Sequence, residues 1–298
     1  GSTDGTREIC ISYAQKHPER IRVLMHDLKN NIPFLGGRSG IFHRKFVLAE
    51  AKGKFVSIFD GDDFWMDEGK LQRDIDYLVS NPHVSMVFQD AITVNDHGQT
   101  TDSSKIQRIT GRPSLPVIKT LKEFTSSLMP TCTSTFRNIT FDLGSPNSYR
   151  MVNGDTYWFS QLLLSGEIHF LPGQTAAFRA HAKGAWSSAG FLRRSISQLF
   201  LWISIADLPI ADASNVKVAY AQFIDRYWKL YFHSVYRFQR KAFPFLFRGA
   251  WEAIRIPIRF VLRGVISPVD LMRCWFSMST KPIEQLAQRL LKGSSKAA

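Results

Sequence analysis

Cysteine is scarce: Cys10, Cys132 and Cys274 are the three in 298 residues. They are too few and too scattered for a disulfide framework or a zinc cluster, which points to a reducing compartment, and burial as small hydrophobes accounts for each. Long apolar runs are missing too. The most apolar stretch between charges, Ser195 to Ala206, has twelve residues, whereas a membrane-spanning helix needs about twenty. No basic segment followed by an apolar one opens the chain, so no secretory signal is visible and a cytoplasmic location is expected. Internal repeats and low-complexity tracts are absent. What is present is ordinary: 44% hydrophobic and 21% charged residues exclude a disordered, collagen-like or disulfide-scaffold chain. The length suits one α/β domain of about 200 residues plus an appendage.

Acidic residues are unevenly spread. Residues 226–298 hold fourteen Lys and Arg against Glu252, Asp270 and Glu284, while the remaining residues carry twenty-four bases against twenty-two acids. A nearly neutral body with a basic tail predicts two parts with different partners, the tail seeking something anionic.

The first half alternates strand and helix signals. Ile21 to His26, Lys54 to Phe59 and Val84 to Phe88 are short β-rich runs bounded by polar residues,. Between the last two, Leu71, Ile75, Leu78 and Val79 recur at helical spacing, and Asn81-Pro82 ends that helix,. Such alternation predicts a mostly parallel sheet with helices on its faces, and ligands beyond the carboxyl ends of its strands.

There the chemistry appears. The run Phe55–Phe59 stops at Asp60-Gly61-Asp62-Asp63, followed by Phe64-Trp65. On an extended segment Asp60 and Asp62 share a face about 6.6 Å apart, too far for both to grip one ion unless the chain bends. One carboxylate then holds a hard cation, Mg²⁺ or Mn²⁺, and the other a sugar hydroxyl, with a nucleotide diphosphate as the ligand. The plain alternative is an exposed Asp/Gly turn that merely ends a strand.

The company of this cluster decides between them, because here the sequence resembles the family 2 glycosyltransferases, which have the GT-A fold. Gly1-Ser2-Thr3-Asp4-Gly5-Thr6 is similar to the second half of the family's "DDGSTDGT" loop, and a helix Arg7–His17 and the strand Ile21–His26 follow in family order. Ala51-Lys52-Gly53-Lys54-Phe55-Val56 is similar to the family's lead into the metal-motif strand. Asp60 to Trp65, with Lys70-Leu71-Gln72 and Asp76-Tyr77-Leu78, resembles a subgroup reading "GDDYW…KLQ…D-F-L". Gly154-Asp155-Thr156-Tyr157-Trp158, Phe178-Arg179-Ala180-His181 and Gly184-Ala185-Trp186-Ser187-Ser188 continue it. Several blocks in order over roughly residues 1–190 are far more specific than any single motif.

The resemblance implies transfer of a sugar from a nucleotide-sugar, with UDP-sugar the first choice, to a hydroxyl of a saccharide or lipid-linked acceptor. Such a reaction needs a cation on the leaving diphosphate, a base for the acceptor and a held sugar. By motif position Asp62 is the metal ligand, Asp60 faces the ribose or donor sugar, and Asp63 is a second contact or a local cap. Asp155 is the implied base, although an Asp at a loop-to-helix junction is usually an N-cap. Many members carry an acid just before it; Gly154 stands there instead, which leaves its basicity to burial or other contacts. Arg179 and His181 point the same way on an extended segment and suit diphosphate and metal respectively. Lys70 matches a subgroup position beside the donor, its plain alternative being a solvated helix lysine. Thr131 to Phe136 alternates like a strand and is given no role. The family's first strand precedes the loop with which the sequence begins, so a truncated GT-A domain over 1–190 is expected, weakly stable or inactive for want of an interior strand.

Beyond residue 190 the resemblance fades, and 191–298 reads as a basic, mainly helical region. Within 247–266, Trp251, Ile254, Ile258, Val261 and Val265 repeat at three- and four-residue steps, with Arg248, Glu252, Arg255, Arg259 and Arg263 on the opposite stripe and Pro257 as a kink,. Either this helix packs on the catalytic domain with its Arg face in water, or it attaches to an anionic membrane surface, placing the protein peripherally at the inner face of the plasma membrane. Nucleic acid is the third choice: Tyr227, Trp228, Tyr231, Tyr236 and Phe238 interleave with bases, but no known motif appears. Two rival functions remain. One is a nucleotidyltransferase, against which Asp155 and the Arg179-x-His181 pair argue. The other is a non-catalytic membrane-associated binding module, which Gly154 and the basic tail permit.

Overall fold

The computed structural model describes residues 4–26, 32–34, 37–39, 41–115, 117–142, 151–152, 154–182, 184–185, 188–210, 212–236, 242–265 and 267–269. Gly1 to Thr3, Trp186, Ser187, Phe238 and Cys274 therefore lie outside the described residues.

The chain opens with helix α1 (Thr6–Lys16), the short hairpin β1 (Ile32–Phe34) and β2 (Gly37–Ser39), and helix α2 (Ile41–Glu50). The main sheet is built from β3 (Phe55–Ser57), β4 (Phe64–Trp65), β5 (Val84–Val94), β6 (Thr100–Asp102), β7 (Thr135–Arg137) and β8 (Glu167–Arg179). Between them lie α3 (Lys70–Ser80), α4 (Lys105–Thr110), α5 (Leu121–Thr125) and α6 (Gly154–Ser165), and α7 (Phe191–Asp207), α8 (Ala213–Tyr236) and α9 (Phe243–Leu262) follow. The α/β class with a helical C-terminal region holds.

The sheet, ordered β3-β7-β5-β8-β4 with β6 beside β5, is mixed rather than mostly parallel. The central pair β5 and β8 is parallel; β7 is antiparallel to both β3 and β5, and β4 to β8. So β3, β5 and β8 point one way and carry their C-terminal ends to one edge. The antiparallel members are two or three residues long, too short for alternation to reveal them. The expected strand at Ile21–His26 joins no ladder among the described residues; Arg22 instead reaches the carbonyl and carboxylate of Glu50 at the end of α2. In α1 no residue is buried, and Ile9 and Tyr13 are exposed.

Side chains of β5 alternate between two layers, as the pleat requires. Met86 and Phe88 enter the main core with Tyr157, Trp158 and Leu162 of α6 and with α7, while Val87 packs on Leu78 of α3. On that second face a polar group is enclosed: Lys70 Nζ donates to Asp74 Oδ2 (2.6 Å) and Thr135 Oγ1 (3.1 Å), and Gln89 Nε2 donates to Asp74 Oδ1 (2.5 Å). The main core runs without interruption across residue 190, from Leu48 to Phe260.

Helix α9 is turned over relative to the expectation of an Arg face in water. Glu252 is fully buried and bound by Arg248 and Arg255, and Arg255 and Arg259 reach Asp207 of α7 at 2.7 and 2.6 Å. Phe247, Trp251, Ile254, Ile258 and Leu262 are exposed instead. Satisfying three arginines on two acids anchors the polar stripe inward, and the apolar one is left outside. Pro257, which has no N–H for the carbonyl of Ala253, is tolerated because Tyr220 Oη of α8 donates to that carbonyl at 2.9 Å,. The aromatic row of α8 is packing: Tyr227, Trp228 and Tyr231 contact one another, and Gly249 of α9 lies so close that a Cβ there would stand 2.6 Å from the Tyr227 ring.

Candidate functional site

The loop after β3 and the segments after β5 and β8 meet where those three strands end. Their shared direction, not their sequence spacing, brings the acidic motif to Arg179 and His181. Asp62 Oδ2 lies 2.8 Å from His181 Nε2, and both side chains keep access to solvent at 41% and 21% exposure. Asp60 Oδ1 accepts from Arg44 Nη2 of α2 at 2.5 Å. Asp63 turns the other way, is 8% exposed, and accepts the backbone N–H of Arg179 at 2.9 Å.

Arg179 acts on backbone. Its Nε donates to the carbonyl of Asp62 (3.0 Å), and its Nη1 to those of Asn95 (2.9 Å) and Asp96 (3.2 Å). Those carbonyls belong to the turn between β5 and β6, closed by Gly98 at φ +77°, a conformation that favours glycine,. The guanidinium thus ties the acidic loop to the strand ends; its carbonyl partners leave it a positioning part rather than a free phosphate clamp. Lys70 is likewise elsewhere than expected. Its side chain is 0% exposed in the group around Asp74, so it is not a solvated lysine.

Asp155 stands in the first turn of α6, where Thr156 N–H donates to its Oδ1 (3.0 Å) and Thr131 Oγ1 to its Oδ2 (2.9 Å). It lines a cavity of about 180 Å³ with Met129, Phe159, Gln198, Trp202 and Arg226, and is the one carboxylate among the described residues of that lining. Gln198 and Arg226 also line a neighbouring cavity of about 530 Å³ with Arg194 and Lys229, between α7 and α8.

Residues 1–141 match the family model described as glycosyl transferase family 2. This region is a family 2 glycosyltransferase domain. Two uncharacterized proteins of Mycobacterium tuberculosis and one of Mycobacterium bovis are similar to the chain, each 27% identical over 195 residues, 65% of its length. The chain spans about half, 51%, of the length of these curated relatives.

Within this glycosyltransferase domain, two cations escaped the sequence reading. Burial works against the charge of Arg44, but the carboxylates of Asp60, Asp155 and Asp62 outweigh it and raise its pKa, which makes Arg44 the electrostatic hub of the acids. Lys105, at the start of α4, lies 3.0 Å from the centre of the Phe178 ring; burial lowers its pKa against the pull of Cys132, Asp63 and Asp155. No spacing rule links either residue to the acidic motif. Thr131 was legible only as part of an alternating run.

The donor set fits a divalent ion. A carboxylate and an imidazole converge with solvent access, and an ion held by two protein ligands completes its shell from diphosphate oxygens and water.

Burial, reinforced by Asp62 and Asp60 against the Arg179 N–H, pushes Asp63 up from 3.8 to about 6. Its proton is therefore held more tightly folded than unfolded. The associated stability is fully present below about pH 4 and is lost as pH rises through about 6. With chelator present, Asp63→Asn is expected to gain on the order of 2 kcal/mol over wild type at pH 7 and nothing at pH 4. Urea midpoints at the two pH values measure it; an equal offset at both would refute it.

Proposed function

We propose that the protein is a metal-dependent, inverting glycosyltransferase that moves a sugar from a nucleotide-sugar, a UDP-sugar first, to a hydroxyl of a saccharide or lipid-linked acceptor in polysaccharide or glycoconjugate assembly. The observation that carries this reading is the convergence of Asp62 Oδ2 and His181 Nε2 at 2.8 Å, at the strand edge that also presents Asp60. Asp62 and His181 hold Mn²⁺ or Mg²⁺, which supplies Lewis-acid neutralisation of the departing diphosphate. Arg44 occupies Oδ1 of Asp60 and leaves Oδ2 to accept a hydroxyl of the ribose or sugar. Asp155 takes the acceptor's proton, and inversion is the outcome that the family resemblance implies for a single direct displacement assisted by this base,. Arg194, Arg226 and Lys229 beside that cavity favour an acceptor bearing phosphate,.

Calorimetry with UDP, with and without Mn²⁺, tests the donor site. Wild type is expected to bind at least tenfold more tightly with Mn²⁺, and Asp62→Ala to lose that increment. Absence of metal-dependent nucleotide binding in wild type would put the non-catalytic binding module ahead.

A membrane-held acceptor is favoured by α9. No helix among the described residues is long and apolar enough to cross a membrane. The exposed stripe from Phe247 to Leu262, bordered by the exposed Arg248 and Arg263, instead suits lying in an anionic membrane surface,. Trp251→Asp with Leu262→Asp is expected to abolish co-sedimentation with anionic vesicles. Salt should weaken wild-type pelleting only in part, since Arg255 and Arg259 are engaged by Asp207. Equal pelleting of the double variant would remove the membrane from this reading.

A further inference from the structure

At the opposite end of the central strands stands a second group of ligands. His83 lies in the turn between α3 and β5, and Glu167 and His169 sit two residues apart at the start of β8. One atom from each, an imidazole nitrogen from either histidine and a carboxylate oxygen, all lie within 4.8 Å of one another. Along the chain, the stretch from His169 to His181 at about 3.3 Å per residue spans up to about 40 Å, so this group is remote from the Asp62–His181 pair. The described transferase chemistry makes no use of it.

We propose that His83, Glu167 and His169 form a binding site for a zinc-class divalent cation, with water in the fourth position. The donor set, two imidazoles and one carboxylate, is one that zinc accepts with an open site. Tetrahedral bonds of about 2.0–2.1 Å place ligand atoms about 3.3 Å apart. The spacings here straddle that value: His169 Nε2 to Glu167 Oε2 is 2.8 Å and His83 Nε2 to Glu167 Oε2 is 4.0 Å. His83, with 59% of its side chain exposed, has room to swing in.

The surroundings are built to hold these atoms. Glu167 N–H donates to the His83 carbonyl at 3.0 Å, and Gly166 packs so near that carbonyl that a Cβ would stand 2.6 Å from it. The two ligand-bearing segments are thereby locked together by backbone. Tyr77 Oη of α3 meets His169 Nδ1 at 2.9 Å and aims Nε2 at the site, the outer contact that metal-binding imidazoles require,. Lys119 Nζ sits on Glu167 Oε1 at 2.9 Å, which keeps its positive charge on the oxygen remote from the site and leaves Oε2 turned inward. With Nε2 on the cation, the ring proton would sit on Nδ1, where Tyr77 Oη stands ready to accept it. An ordinary imidazole–carboxylate pair needs neither the second imidazole nor this orientation. The cation would staple the turn before β5 to the first residues of β8.

Zinc titration by calorimetry at neutral pH, in an Asp62→Ala background so that the cleft does not contribute, tests the proposal. One Zn²⁺ per chain is expected. Adding His83→Ala or Glu167→Gln should weaken binding at least tenfold, and adding Tyr77→Phe should weaken it about tenfold while keeping the stoichiometry. Zn²⁺ should raise the thermal midpoint of the Asp62→Ala protein and leave that of the His83→Ala combination unchanged. The exposed His83 can be replaced without disturbing the core, so misfolding does not obscure the result. Absence of zinc binding by the Asp62→Ala protein, or binding indifferent to both His83→Ala and Glu167→Gln, would overturn the assignment.

Discussion

Asp155→Asn is expected to lower the rate of sugar transfer by about 10²- to 10⁴-fold, the usual contribution of a positioned general base, while leaving metal-dependent donor binding intact. Asparagine preserves the shape of the side chain. Its carbonyl can still accept from Thr156 N–H or Thr131 Oγ1, but it cannot take a proton. A role limited to helix capping predicts an unchanged rate as well as unchanged donor binding, since Asn caps as well as Asp. The readout is release of nucleoside diphosphate from the best donor in a nucleotide-sugar screen, with membrane extract as the acceptor source, analysed as kcat against KM. An unchanged kcat would leave Asp155 a cap and require another base. Thr131→Val is a useful companion: it removes one hydrogen bond to Oδ2 and should cost far less.

Asp74→Ala is expected to destabilise the domain by about 3–5 kcal/mol, against a total of about 5–15 kcal/mol for a typical domain. Both partners of the Lys70–Asp74 pair are essentially without solvent access. Burial lowers the Lys70 pKa and Asp74 is the chief group opposing it, so truncating Asp74 leaves an ammonium in the interior. It also strips partners from Thr135 of β7 and Gln89 of β5. The paired change Lys70→Met with Asp74→Leu should recover most of the loss, because replacing a buried ion pair by apolar groups of similar volume is often near neutral. Urea midpoints for the three proteins decide it. If Asp74→Ala costs less than about 1 kcal/mol, the pair is not the structural link between α3 and the sheet described above.

Legibility of the site followed distance along the chain. Asp60 and Asp62 were readable because a carboxylate cluster ending an apolar run is a local pattern, and Arg179 with His181 because an alternate pair on an extended segment shares a face. Their pairing across more than a hundred residues required β3 and β8 to point the same way, which the expected alternation implied even though the sheet is mixed. Lys70 was misplaced: a lysine on an amphipathic helix is normally solvated, and only Asp74 one turn on, with Thr135 from a distant strand, makes its burial tolerable. The orientation of α9 was inverted for a similar reason. Its two stripes were visible in the sequence, but which one faces inward depended on Asp207 waiting on α7.

By itself, then, the order of residues determined the α/β class, the acidic motif and its place at a strand end, the family resemblance, and the amphipathic character of 247–266. These are properties of neighbours in the chain, where periodicity and turn chemistry act. Tertiary structure alone decided the strand directions, the partners of Arg44, Arg179 and Lys70, the cavity beside Asp155, and the meeting of His83 with Glu167 and His169. Each of those depends on whether a buried charge or polar group finds a partner from a remote segment, and that is settled only when the sheet and its helices close around it.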